Sequence, residues 1–280
     1  MAAPSTKTVR GVEVPTIGFG VFEVDPGETE DAVADALAAG YRHVDTAAMY
    51  RNEEEVGRGL KRSGVDPSEV WVTTKVWQSD FARDRLRTSA ERSLRLLGLE
   101  RVDLLLLHWP PDDPAELAPA LETLGALRDE GKVREYGVSN FPAPMLREAL
   151  DLAPDVFADQ VEYHAKLSQR DLHDLALERD VLLEAYAPLG GSASNIVGDP
   201  VLAEIAASHG DATPAQIALA WLARQDNVVL LPRSTSAERR RQNLASLEID
   251  LTDEDVARID ELAETRQRNF SPPWAPDWRD

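Results

Sequence analysis

The chain contains no cysteine, which excludes disulfides, thiolate nucleophiles and cysteine-held metals. Only five of its 30 basic residues are lysines: Lys7, Lys61, Lys75, Lys132 and Lys166. No apolar run approaches the roughly 18 residues of a membrane-spanning helix, and MAAPSTKTVRG at the N-terminus lacks the apolar core of a signal peptide. A cytoplasmic location is the expectation. Positive charge is scarce overall, with 50 Asp and Glu against 30 Lys and Arg and a net charge of −20. Nucleic acids and anionic membranes both require a basic patch, so neither is expected as a partner. The acidity has two readings. One is an incidental bias in a composition that favours Arg. The other is adaptation to high salt, where a Debye length of about 3 Å at 1 M screens self-repulsion. The second is preferred, because self-repulsion of this size is tolerable mainly when screened.

What is present is an alternation. At 280 residues the chain suits one (β/α)8 barrel, which takes about 250, and 43% hydrophobic residues supply its core. The runs TIGFGV, RHVDT, VWVTTK, VDLLLLH, VREYGVS, FADQVEY, VLLEAYA and VVLLP read as eight strands. Helical patterns separate them at 29–40, 53–64, 83–98, 115–131, 144–152, 169–180, 199–210, 213–225 and 236–247, several ending on Gly. Such alternation implies a parallel sheet. No G-x-G-x-x-G follows the first strand, so the open dinucleotide-binding sheet lacks its fingerprint. The expected fold is therefore an α/β TIM barrel forming a single domain over 1–280. KTVRG and VEVPT around Gly11 read as a short β-hairpin before it, and a short tail closes the chain.

Three of the apolar runs stop on, or pass through, an ionisable residue: Asp45 in RHVDT, Lys75 in VWVTTK and His108 in VDLLLLH, with Tyr50 five residues after Asp45. Buried parallel strands that end this way deliver side chains to the C-terminal rim of a barrel. Taken singly, each has a plain alternative: a helix-capping Asp, a satisfied core His, a packed Tyr. Together they form a proton donor with its tuning groups. Phenol has a pKa near 10, and an adjacent ammonium is expected to lower it. Lys75 is that ammonium, Asp45 would hold it charged, and His108 would orient a substrate oxygen or relay protons.

GYRHVDTAAMYRNEEEVGRGL (40–60), VWVTTKVW (70–77), RVDLLLLHWP (101–110), GKVREYGVSNF (131–141), DQVEYHAKLSQ (159–169), AYAPLG (185–190) and PRSTSAERRRQNL (232–244) resemble the aldo-keto reductase family along nearly the whole chain. The resemblance implies an NADPH-dependent carbonyl reductase in which Tyr50 is the general acid, Lys75 and Asp45 tune it, and His108 positions the carbonyl. It implies that Ser139, Asn140 and Gln160 bind the nicotinamide carboxamide, that Tyr186 stacks on the ring, and that Leu189 borders the cofactor. Arg233, Ser234, Arg239, Gln242 and Asn243 would grip the 2′-phosphate and adenine, a task suited to forked guanidinium bonds near a helix N-terminus. Arg240 and Arg241 read instead as a solvated helix face. By position, Phe22, Trp77, His108, Trp109 and Trp274 would line the substrate pocket.

The departures from the family pattern are Arg233 for a common lysine, Val21 where a hydroxyl residue is frequent, Asp159 for the usual Asn before Gln160, and Ala165 for a usual Pro after His164. Arg keeps the charge but not the geometry of Lys, which leaves NADH as a lesser option. The tail FSPPWAPDW resembles the bacterial 2,5-diketo-D-gluconate reductase B branch, which implies small aldehydes, dicarbonyls or keto sugars as substrates. Two other classes are weighed. A non-catalytic NADP(H)-binding protein on this fold would have no need of Tyr50 and Lys75 together. A metal-dependent hydrolase on His43, Asp45, Lys75 and His108 lacks a second carboxylate, and no metal is expected. A monomer is expected, with a dimer left open.

Overall fold

The computed structural model describes residues 5–191 and 194–278. The chain starts with an antiparallel hairpin of β1 (Thr6–Val9) and β2 (Val12–Pro15), turning at Arg10 and Gly11. Eight strands then pair in parallel in chain order: β3 (Phe19–Gly20), β4 (His43–Asp45), β5 (Trp71–Val76), β6 (Val102–Leu107), β7 (Val133–Ser139), β8 (Ala158–Glu162), β9 (Leu182–Tyr186) and β10 (Val228–Leu231). Between and after them run α1 (Pro26–Ala39), α2 (Glu53–Ser63), α3 (Arg83–Leu97), α4 (Leu117–Asp129), α5 (Ala143–Leu152), α6 (Arg170–Arg179), α7 (Pro200–Ser208), α8 (Pro214–Arg224), α9 (Ala237–Ala245) and α10 (Asp253–Ala263). The barrel expectation holds. The tenth helix is an addition to the sequence reading, although Thr252 and Asp255 form a reciprocal capping box at its start.

The first strand closes the barrel more loosely than the run TIGFGV suggests. Its regular part is two residues long, yet Gly18 N–H donates to the Leu230 carbonyl at 2.8 Å and Leu230 N–H to that of Thr16 at 3.0 Å. Gly18 makes that approach possible, since a Cβ there would lie 2.6 Å from the Leu231 side chain and 2.8 Å from the His43 ring.

Side chains alternate between the two faces of each strand. Val72, Val76, Leu105, Leu107, Val138, Val161, Leu183 and Leu230 join the core cluster that also holds the helices. Trp71, Leu104, Leu106, Ala158, Leu182 and Val229 form a second, inner cluster with Val9 and Val14 of the hairpin, which seals the barrel floor. Further along the same strands, the positions two and four residues on become polar: Thr73 and Lys75, Gln160 and Glu162, Glu184 and Tyr186. The apolar floor and the polar mouth are thus one period-two pattern read along each strand.

Candidate active site

The mouth of the barrel holds Asp45, Lys75, Tyr50 and His108 together. Lys75 has no exposed surface, and its Nζ donates to both Asp45 oxygens at 2.8 and 2.7 Å, to the Thr46 carbonyl at 2.8 Å and to the Tyr50 hydroxyl at 3.3 Å. Burial alone would lower the lysine pKa, but Asp45, Tyr50 and Glu184 outweigh it and raise it. Tyr50 closes a single 3-10 turn (Ala48–Tyr50) that ends on Arg51 in the left-handed region. Asn52 pins this loop: it accepts from Thr46 Oγ1 at 2.9 Å and donates to the Val21 carbonyl at 3.1 Å. The sequence reading did not pick out Thr46 or Asn52, because a loop residue's partner is not visible in a strand or helix period.

The Tyr50 phenol corrects one expectation. Burial pushes it up to about 12, and the Lys75 ammonium only partly opposes that rise. The phenol is therefore fully protonated at neutral pH. His108 is nearly buried and held well below the usual histidine range by burial and by Lys75, so it is neutral. Its ring lies 5.6 Å from that of Tyr50 and 5.2 Å from that of Trp77. Neither of its ring nitrogens has a hydrogen-bond partner among the described residues, and Nδ1 is buried. A neutral imidazole beside a protonated phenol can present two hydrogen-bond donors to one oxygen.

The residues expected at the cofactor ring are tied to this set and to one another. Asn140, left-handed at φ 66°, donates to the His108 carbonyl at 2.9 Å and to Ser139 Oγ at 3.1 Å, and accepts from the Tyr186 hydroxyl at 2.8 Å. Asn tolerates that conformation better than other side chains. Ser139 Oγ donates to the Gln160 carbonyl at 2.8 Å, and Gln160 Nε2 donates to Asp45 Oδ2 at 2.8 Å. Leu189 packs half-buried against the core nearby.

An aromatic wall continues outward. Phe22 lies 5.0 Å from Tyr50, and Trp274 lies 6.1 Å from Trp77. Trp109 stands apart from this wall: it is buried, and its ring meets that of Trp278 at 6.3 Å. Phe270, absent from the sequence-based set, sits 6.3 Å from Phe22 and 5.6 Å from Tyr186. Buried Glu162 holds it there, accepting from Asn269 N–H and Nδ2 at 2.8 Å each and from Phe270 N–H at 2.9 Å. Burial would raise the Glu162 pKa, but His164, Asn269 and the Phe270 amide hold it below the usual carboxylate value.

The arginine segment lies on the surface at the start of α9, whose N-cap is Ser236. Arg233 Nη1 donates to the Phe22 and Glu23 carbonyls at 3.2 Å and to the Glu23 carboxylate at 3.0 Å. Ser234 accepts from Ser236 N–H, Gln242 donates to Glu238 at 3.1 Å, and Asn243 is buried. Arg239 has no ion-pair partner among the described residues. Arg240 corrects the solvated-face expectation: it is 4% exposed and bonded to Asp35 at 2.9 and 2.6 Å. Arg241 is exposed and paired with Glu238 at 3.0 Å. Below the mouth, His43 Nε2 bonds Thr73 Oγ1 at 3.0 Å, and among the described residues no group of three or more His, Asp or Glu is placed to hold a metal.

A family model for the aldo/keto reductase family matches residues 16–264. The chain belongs to that family. It is 40% identical over 268 residues to the 9,11-endoperoxide prostaglandin H2 reductase of Trypanosoma cruzi, covering 94% of this chain and 93% of that one. It is 38% identical over 260 residues to the glyoxal reductase of Bacillus subtilis, covering 92% of each. The crystal structure of a protein assigned as a 2,5-diketo-D-gluconic acid reductase B superimposes with a TM-score of 0.92 at 36% identity, covering 98% of this chain and 97% of that one. The resemblance to that branch, read from the tail, thus has a structural counterpart. Membership makes this chain an oxidoreductase acting on small carbonyl compounds.

Proposed function

We propose that this reductase uses NADPH and takes its proton from Tyr50. The observation that supports this most strongly is Lys75 Nζ, bonded to both Asp45 oxygens and within 3.3 Å of the Tyr50 hydroxyl, next to a neutral His108. A substrate carbonyl oxygen placed between Tyr50 and His108 accepts a hydrogen bond from each. NADPH, when bound, supplies the hydride to the carbonyl carbon. Tyr50 gives its proton to the oxygen, Lys75 stabilises the phenolate left behind, and Asp45 keeps Lys75 charged. Because the phenol is protonated at neutral pH, the arrangement favours reduction. Alcohol oxidation needs the phenolate and should rise with pH.

Ser139, Asn140 and Gln160 have the donors and acceptors a carboxamide requires, and Tyr186 has the flat face its ring requires. Arg233 and Arg239 near the α9 N-terminus, with Ser234, Gln242 and Asn243, suit a 2′-phosphate and adenine. The aromatic wall of Phe22, Trp77 and Trp274, with few charged anchors, suits small aldehydes, dicarbonyls or keto sugars. The glyoxal reductase relative supports that class. The test is to incubate the protein with NADPH and phenylglyoxal. One NADP+ per alcohol formed, unaffected by EDTA, is expected. NADPH binding without turnover on any aldehyde or dicarbonyl would instead indicate a binding protein.

A further inference from the structure

Beneath the tetrad lies a carboxyl group that the mechanism above does not use. Glu184, the middle residue of β9, has no exposed surface. Its Oε2 accepts from Gln160 Nε2 at 2.7 Å, while the same nitrogen donates to Asp45 Oδ2 at 2.8 Å. Its Oε1 lies 3.5 Å from Thr73 Oγ1 and from His43 Nε2. One end of the Gln160 amide therefore faces two carboxyl groups. Both Asp45 oxygens accept from Lys75 Nζ, so the end of the amide facing Asp45 must be the NH2. Each of its two protons then has an acceptor, and Oε1 is left to point away. Among the described residues nothing donates to Gln160 Oε1.

We infer that Glu184 is a positioning residue: together with Asp45 it locks the Gln160 amide with its oxygen toward the cofactor, where it accepts an N–H from the nicotinamide carboxamide. The inference rests on the nicotinamide reading above. The surroundings fit the role. His43 is driven down to about 3 by burial and Lys75, so it is neutral and offers Glu184 no countercharge. Lys75 is engaged by Asp45. Burial and the Asp45 charge hold Glu184 up at about 8. A neutral carboxyl can place its proton on Oε1, toward Thr73 and His43, and still offer Oε2 to Gln160. Those five groups, from β4, β5 and β8, are the polar and charged side chains facing Glu184. With an apolar residue at 184, Asp45 alone would hold one of the two N–H groups, and the amide would lose half of its constraint.

The test compares the affinity for NADP+ with that for its 3-acetylpyridine analogue, which keeps the ring carbonyl but has no N–H to donate. Quenching of tryptophan fluorescence reads both dissociation constants. The wild type should prefer NADP+ by roughly tenfold, the worth of one well-placed hydrogen bond. Glu184→Leu should cut that preference to about threefold or less, and Glu184→Gln, whose side-chain carbonyl still accepts from Gln160, should restore it. A preference unchanged in Glu184→Leu would overturn the inference, as would a wild type that does not discriminate. A wild type that binds neither nucleotide would overturn the nicotinamide reading itself, which is a different result. Should Glu184→Leu fail to fold, the free wild-type protein provides the test. The Gln160 side-chain NH2 signals, assigned by their loss in Gln160→Met, should both exchange slowly with solvent, and rapid exchange of either would refute the lock.

Discussion

The barrel mouth and the arginine segment at the start of α9, proposed above to serve opposite ends of the cofactor, are built differently. At the mouth Lys75, Gln160 and Asn140 are buried and bonded within the chain: Lys75 to Asp45, Gln160 to Asp45 and Glu184, Asn140 to His108 and Tyr186. Strand register fixes those partners, so the geometry exists before any ligand arrives. At the surface Arg233 is 46% exposed and shares a pair with the 63% exposed Glu23, a contact worth little to stability. On the proposed function, the chemistry sits on rigid, low-dielectric ground, and cofactor selection on exchangeable surface charges. It follows that damage at the mouth should cost both turnover and stability, while changes at α9 should move binding alone.

The largest effect is expected from Lys75→Met. It leaves the Asp45 carboxylate buried and unpaired, which costs about 3–5 kcal/mol, and it removes the stabiliser of the phenolate, lowering kcat by roughly 10²–10⁴. Urea unfolding and single-turnover reduction together check this, and a variant of normal kcat would break the contrast.

Next comes Asp159→Asn. Asp159 follows the outward face of β8, opposite in sense to Gln160, and so enters the apolar shell between strand and helices. Its two oxygens are buried and no donor reaches them with good hydrogen-bond geometry, the Phe141 amide being at most a weak contact, and burial lifts its carboxyl well above the usual range. The unfolded chain releases this proton near pH 4 while the folded chain retains it, so stability falls as pH rises above about 4. Glu184 acts in the same direction up to about pH 8. His43 acts in the other, costing stability as pH falls from its ordinary 6.5 toward 3. Asp159→Asn should therefore stabilise by about 1–3 kcal/mol near pH 8 and by less at pH 5. Equal gains at both pH values would contradict the assignment.

At the surface, Arg233→Ala should weaken NADPH binding by about tenfold, whereas Glu23→Ala, which frees the arginine, should tighten it by a few-fold; neither should change kcat. The smallest effect concerns the net charge of −20. Molar salt should raise the melting temperature by a few degrees by screening self-repulsion, and should lower the KM of an anionic keto acid. A melting temperature and KM that are flat with salt would remove the case for salt adaptation.

The same contrast governs what was legible in the sequence. Asp45, Lys75 and His108 stand out because an ionisable residue at the end of an apolar run is costly unless it has a task. Glu184 carries the same signal inside VLLEAYA, but a residue in mid-strand has no evident partner until β8 and β4 are placed beside it. Composition marks α9 as a charged face, but Arg240 is buried against Asp35, 205 residues away in the chain on α1, a pairing that no local pattern shows. The helix Asp253–Ala263 carried a capping signal in Thr252 and Asp255 that went unused. Phe270 is positioned by Glu162, a contact 108 residues away in the chain that no local pattern encodes.

The most direct test of the account is Tyr50→Phe, with NADPH consumption followed on an activated aromatic aldehyde and NADPH affinity measured separately. The account predicts turnover in the wild type and a loss of at least about 10² in kcat in the variant, with NADPH affinity unchanged. A Tyr50→Phe protein that reduces the aldehyde as fast as the wild type would contradict it.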